Sequence, residues 1–176
     1  LEAWNLYPNT YYTAASKPTN PPKVAVVDTG IDIGGTDSIP HPDFINLGGS
    51  SPDAAQGGQV DLADATNVLA GYSPNDVADD YGHGTAVSGV IGAATNNGGG
   101  AGGEGIAGLA YHCQILPIKT FDNTGYGTEA DLAAAIIWAV DHGALIINVS
   151  AGDVYYSQLE QDAVSYAWEH GSLVIA

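Results

Sequence analysis

The sequence predicts an α/β fold built on a parallel sheet, and three observations carry that prediction. Residues 23–28 form a continuous, largely β-branched apolar run, the mark of a strand buried on both faces. From residue 115 onward, strand-like runs alternate with helix-like stretches, and parallel strands need such crossovers. The first run ends on a carboxylate, Asp28, and an apolar helix-like stretch opens on His83, which places polar chemistry at element ends. A three-layer arrangement follows, with helices on both faces of the sheet.

The elements are justified in chain order. Residues 1–22 are rich in Tyr, Thr, Asn and Pro without a period and are expected as an extended N-terminal arm. Residues 23–176 then form one unit. Residues 30–75, rich in Gly, Asp and Pro, are expected as loops with one or two short strands, Val60-Asp61-Leu62 being a candidate. Ala86, Val87, Val90, Ile91 and Ala94 recur at helical spacing and predict the buried face of a helix over residues 84–94. Residues 115–119 read as a strand. Thr128 and Asp131 frame a capping-box start, Leu132, Ala135, Ile136, Ala139 and Val140 make one helical face, and Gly143 is a natural stop. Residues 145–149 are the next strand. Ser157 and Glu160 predict a second capping box, Gly171 the end of that helix, and residues 173–176 a further strand.

The chain has 176 residues, enough for one domain with a core. With 3 Lys plus Arg against 20 Asp plus Glu, its formal charge is −17. No basic stripe exists to neutralise phosphates, which excludes nucleic acid as a partner. No apolar run approaches the roughly 18 residues of a membrane span, so no membrane partner is expected. Cys113 is the single cysteine and excludes an internal disulfide; it reads as a small buried apolar residue. The chain begins Leu1-Glu2 without a visible signal peptide, as a processed mature chain or a cloned piece would.

Open parallel sheets bind ligands beyond the carboxyl ends of their strands, which is where Asp28 falls. His83, framed by Gly82 and Gly84, stands where a backbone can approach closely. A general base needs a carboxylate to orient it and to stabilise the imidazolium it becomes. Asp before His, with a serine still to come, is one of the chain orders that such hydrolases use. Competing signals fail on context. Asp28-Thr29-Gly30 also marks aspartic peptidases, but those need two copies in an all-β frame. Gly100 to Gly105 matches G-x-G-x-x-G but follows a helix where a strand is required. Asn148-Val149-Ser150 is a glycosylation sequon at the end of a predicted buried strand. Asn148 to Gly152 nearly copies a nucleophile elbow, but that class orders Ser first. His41, His112, His142 and His170 lack comparable framing, although His142 and His170 fall near helix C-termini.

Taken together, Val27-Asp28-Thr29-Gly30-Ile31-Asp32, His41-Pro42-Asp43, Gly82-His83-Gly84-Thr85-Ala86-Val87-Ser88-Gly89, Gly105-Ile106-Ala107-Gly108-Leu109-Ala110 and Ile146-Ile147-Asn148-Val149-Ser150-Ala151-Gly152 resemble the signatures of the subtilisin family of serine peptidases. The resemblance runs from about Lys23 to Ala176 and lies nearer the secreted thermitase-like and subtilisin-like members than the kexins. It implies a secreted, extracellular serine endopeptidase with a subtilisin-like fold, incomplete in this chain. Asp28 would orient and His83 would be the general base. Gly125-Tyr126-Gly127 and Ser150-Ala151-Gly152 would be two backbone rails that sandwich an extended protein or peptide substrate by β-augmentation.

The resemblance also implies structural calcium. Asp43, Asn97 and the carbonyl of Ile106 match one site; Asp76, Asp79 and Asp80, with Asn75, resemble a second. The family's oxyanion asparagine and nucleophilic serine would both follow Ala176. This chain is therefore expected to be the N-terminal portion, inactive alone, with a C-terminal fragment of the same precursor as its partner. An alternative reading is a non-catalytic subtilisin-like scaffold used for binding or regulation, which a partner segment without the serine would favour.

Overall fold

The computed structural model describes residues 21–34, 40–44, 46–47, 59–94, 106–110 and 113–176. Most of the predicted N-terminal arm (1–20), part of the loop after the first strand (35–39), Asn97, the Gly100–Gly105 motif, Tyr111 and His112 lie outside them. The strands are β1 (Lys23–Asp28), β2 (Asn46–Leu47), β3 (Gln59–Val60), β4 (Thr66–Asn67), β5 (Gln114–Lys119), β6 (Ile146–Val149) and β7 (Leu173–Ile175). The helices are α1 (His83–Gly92), α2 (Glu129–Asp141) and α3 (Gln158–Glu169).

They form a seven-stranded sheet in the order β2-β3-β5-β1-β6-β7, with β4 beside β3 on the free edge of β5. Every pairing is parallel. β1 is central and pairs with β5 so that Asp28 stands opposite Lys119. Burial on both faces explains its unbroken apolar run. Ala25 and Val27 pack with Leu116, Ile118 and Ile147 under α2 and α3. Val24 and Val26 face the other way, with Ile115, Phe44 and Val60, against Val87 and Ile91 of α1. The period-two alternation of β1 thus separates two cores, and the predicted three layers are present.

α2 starts as predicted. The Thr128 hydroxyl accepts the Asp131 N–H at 3.2 Å, and the Asp131 carboxylate accepts the Thr128 N–H at 2.9 Å. At α3 the box is only half built: Ser157 accepts the Glu160 N–H, but its hydroxyl proton goes to Glu129 at 2.8 Å. α1 departs most from the sequence reading. It ends at Gly92, and the predicted face residue Val90 is 68% exposed. The buried stripe is Gly84, Ser88, Gly89 and Gly92. A Cβ at Gly92 would lie 3.0 Å from Cys113 Sγ and from Ile115 Cδ1, so the helix axis sits too close to the sheet for larger side chains. Hydrophobic spacing alone could not show that the small residues face inward.

Candidate active site

Asp28 is the last residue of the central strand, and its backbone carbonyl accepts the N–H groups of Thr120 and Phe121 from the loop after β5. Its side chain therefore emerges at the carboxyl rim of the sheet. His83 is the first residue of α1. The residue before it, Gly82, has φ +97°, the left-handed region, which turns the chain sharply into the helix. Gly84 makes the approach possible. A Cβ there would collide with the Gly30 carbonyl oxygen and lie 3.1 Å from Asp28 Cβ. Of the two glycines framing His83, only Gly84 is needed for close approach; Gly82 is needed for its backbone angle.

The two side chains meet. His83 Nδ1 lies 2.8 and 2.9 Å from the two Asp28 carboxylate oxygens. The Asp28 side chain is 1% exposed and the His83 ring 46%. A second donor, the Thr29 N–H, holds Asp28 Oδ1 at 2.7 Å. A carboxylate can only accept, so the imidazole donates from Nδ1 and keeps its Nε2 lone pair on the exposed side. Such a ring can take a proton at Nε2, and Asp28 stabilises the cation that results.

Two groups steady the approach to His83: Lys119, to which the sequence reading gave no role, and Asp79, which it read only as a calcium candidate. Lys119, fully buried at the end of β5, donates to the Ala78 carbonyl at 2.5 Å and pairs with Asp80 at 3.0 Å. Asp79 accepts from Thr29, Tyr81, Gly82 and Thr85. Burial pushes the Asp79 carboxyl up, but the hydrogen bonds from Thr85, Gly82 and Thr29 outweigh it and hold it below the usual carboxylate range. Of the residues expected for a second calcium site, Asp79 accepts protein donors and Asp80 pairs with Lys119. No group of three or more His, Cys, Asp or Glu among the described residues could hold an ion. Of the other calcium candidates, Asp43 is 2% exposed and accepts the Ile106 N–H at 3.1 Å, while Asn97 lies outside the described residues.

Gly125, Tyr126, Gly127, Ala151 and Gly152 line one cleft of about 390 Å³. Ser150, the remaining rail candidate, accepts a hydrogen bond from Asn148 at 2.8 Å and does not line that cleft. The first rail is a tight turn in which the Asp122 N–H donates to Tyr126 O at 2.9 Å, with Gly125 at φ +79°. The Tyr81 ring, two residues before His83, packs beside Gly125, so the Asp28–His83 pair adjoins this turn. The cleft walls are apolar at Leu132, Ile136, Val149 and Val164, with Glu129, Asp153 and Glu160 around them. Burial, then the charges of Glu129 and Asp153, push the Glu160 carboxyl above its usual range.

The remaining candidates are structural. His142 and His170 are the C-cap residues of α2 and α3, and each Nδ1 meets a carbonyl four residues back at 2.8 Å. Burial pushes the Cys113 thiol up to about 12, which leaves it unreactive. No helix among the described residues is long and apolar enough to cross a membrane.

Comparison with known proteins places the chain in a family. A family model described as the subtilase family matches residues 19–176. The chain is 36% identical over 171 residues to a thermophilic serine proteinase of Bacillus sp. (strain AK1), covering 96% of this chain and 36% of that protein. It is 34% identical over 178 residues to the minor extracellular protease Epr of Bacillus subtilis (strain 168), covering 100% of this chain and 23% of the relative. Among solved structures, sphericase superposes with a TM-score of 0.68 at 29% identity over 88% of this chain and 44% of its own. The chain thus spans less than half the length of these relatives.

Proposed function

The chain belongs to the subtilase family, and from that premise we propose that it supplies two members of the Asp-His-Ser triad of a secreted serine endopeptidase. The observation that carries the reading is the buried Asp28 carboxylate holding His83 Nδ1 while the far side of the ring stays open. His83 Nε2 takes the proton of a serine as that serine attacks a peptide carbonyl, then returns it to the leaving amine. Asp28 fixes the tautomer and stabilises the imidazolium. The serine and an oxyanion asparagine come from sequence C-terminal to Ala176 or from a companion polypeptide, and this chain alone is inactive. The substrate is a protein or peptide strand lying between Gly125–Gly127 and Ser150–Gly152. Secretion is supported by likeness to an extracellular protease.

Calcium is part of the proposal as a structural ion. Asp43, Asn97 and the Ile106 carbonyl would hold it. A carboxylate buried to 2% exposure among backbone groups suits a hard cation with oxygen ligands. An ion held there would supply positive charge beside the Asp43 carboxylate, in a structural role.

The test uses the full-length protein. A serine-directed phosphonyl fluoride should label it outside residues 1–176 and abolish casein hydrolysis, and His83→Ala should lower kcat by about 10⁴-fold or more. Hydrolysis that survives His83→Ala unchanged sinks the catalytic reading. In the same preparation a chelator should lower Tm, and less so in Asp43→Asn; an unmoved Tm removes calcium from the proposal.

A further inference from the structure

The Gly82 N-cap offers no side chain to the start of α1, yet two of the helix's first N–H groups are satisfied from elsewhere. Asp79, three residues before the cap, accepts one of them, from Thr85, and holds the Thr29 hydroxyl that accepts the other, from Gly84. Its Oδ1 accepts from Thr29 Oγ1 at 2.8 Å, the Gly82 N–H at 2.8 Å and the Tyr81 N–H at 3.1 Å. Its Oδ2 accepts from the Thr85 N–H at 2.8 Å and Thr85 Oγ1 at 2.5 Å. Each threonine hydroxyl spends its one proton on Asp79 and accepts a backbone N–H in turn. Thr29 takes that of Gly84 at 2.9 Å, and Thr85 takes that of Asp32 at 2.9 Å.

These partners have a pattern. Thr29 follows Asp28 and donates its own N–H to the Asp28 carboxylate. Gly82 and Gly84 flank His83. The network therefore joins the residue next to the triad carboxylate to both neighbours of the triad imidazole, and it touches neither reacting nitrogen. We infer that Asp79 is a positioning residue: through Thr29 and Thr85 it fixes the separation of the β1 end from the α1 start, and with it the Asp28–His83 bond. This rests on reading Asp28 and His83 as the catalytic pair. Proton transfer is steep in distance, so a network of this kind controls turnover more than substrate binding.

Asp79→Asn in the full-length protein keeps the side-chain size but turns one acceptor oxygen into a donor facing other donors. The expected result is a kcat lower by about tenfold or more with KM within about twofold, both per site labelled by phosphonyl fluoride and well below Tm. Thr29→Ser should behave as wild type. Thr29→Val should reproduce the kcat loss, and combining it with Asp79→Asn should cost little more, because both break one network. A lowered Tm with kcat per labelled site unchanged overturns the inference. If the wild type neither cleaves nor labels, the protease reading fails separately. The low-field His83 Nδ1–H proton resonance then decides: its loss in Asp79→Asn supports the positioning role, and an unchanged signal refutes it.

Discussion

Between Gly84 and Gly30 there is no room for a methyl group, and that shortage of space is what lets an imidazole on one element reach a carboxylate on another. Gly30 cannot yield. Its φ is +117°, and an added Cβ would already lie 2.6 Å from the Val77 carbonyl oxygen. Gly84→Ala should therefore push α1 off the sheet, cost about 1–3 kcal/mol by overpacking and separate His83 from Asp28. Gly82→Ala meets open space and carries only the strain of φ +97°, about 1–2 kcal/mol. Thermal melts and kcat of the full-length variants check this: Gly84→Ala should lose activity in excess of its stability loss, and Gly82→Ala should not. The sequence showed that both glycines mattered. Which one served space and which one served backbone angle depends on packing across residues distant in the chain.

Elements with a strong local code were legible. β1 and β5 announced themselves by unbroken apolar runs, β6 by a run interrupted only at Asn148, and α2 by its cap and its stripe. The two-residue strands β2, β3 and β4 are too short for a period, although β3 overlaps the expected Val60-Asp61-Leu62; β3 and β4 exist because β5 leaves an edge open to them, and β2 because β3 does. The Asp79 network was invisible for a related reason, since a helix cap placed three residues upstream matches no capping pattern. The entry of β1 is fastened in a way that the sequence also hid. Lys23 pairs with Asp61 and Asp64, each at 2.7 Å, and donates to the His142 carbonyl at the end of α2 at 2.9 Å. Burial pulls the Lys23 ammonium down, but hydrogen bonds to Asp61 and Asp64 outweigh it and raise it above its ordinary 10.5. The hydrogen bond from Lys23 holds Asp64 below its ordinary 3.8. The raised lysine gives stability that is full below pH 10.5 and fades as pH climbs past it. The lowered carboxyl gives stability that is full above pH 3.8 and fades as pH falls. Lys23→Met should thus cost about 1–2 kcal/mol on the plateau between, Asp64 being partly solvent-screened. The gap from wild type in urea midpoints should narrow at both extremes; a constant gap would assign Lys23 to packing alone.

At the scale of the molecule, charge is the dominant fact. Of the three basic residues, Lys23 and Lys119 are committed to ion pairs and Lys17 lies outside the described residues, against 20 acidic residues. The Glu129, Asp153 and Glu160 carboxylates around the cleft therefore meet no cation from the described part of the chain, and the charges of Glu129 and Asp153 add to burial in raising Glu160. An incoming lysine or arginine side chain can lay its aliphatic stem along Leu132, Ile136 and Val164 and relieve that repulsion with its head group. An acidic side chain meets only repulsion. In a peptide series differing at one position, the cationic member should exceed the acidic one in kcat/KM by about tenfold at low ionic strength, and salt should shrink that ratio as screening sets in. Glu160→Gln should shrink it as well, and acidification should do so once Glu160 takes up its proton, which its raised value brings forward to a higher pH than for an ordinary carboxyl. A ratio near one at low salt, or one indifferent to Glu160→Gln, would show that the cleft selects by shape and leaves the field of the whole protein without a part in choosing substrates.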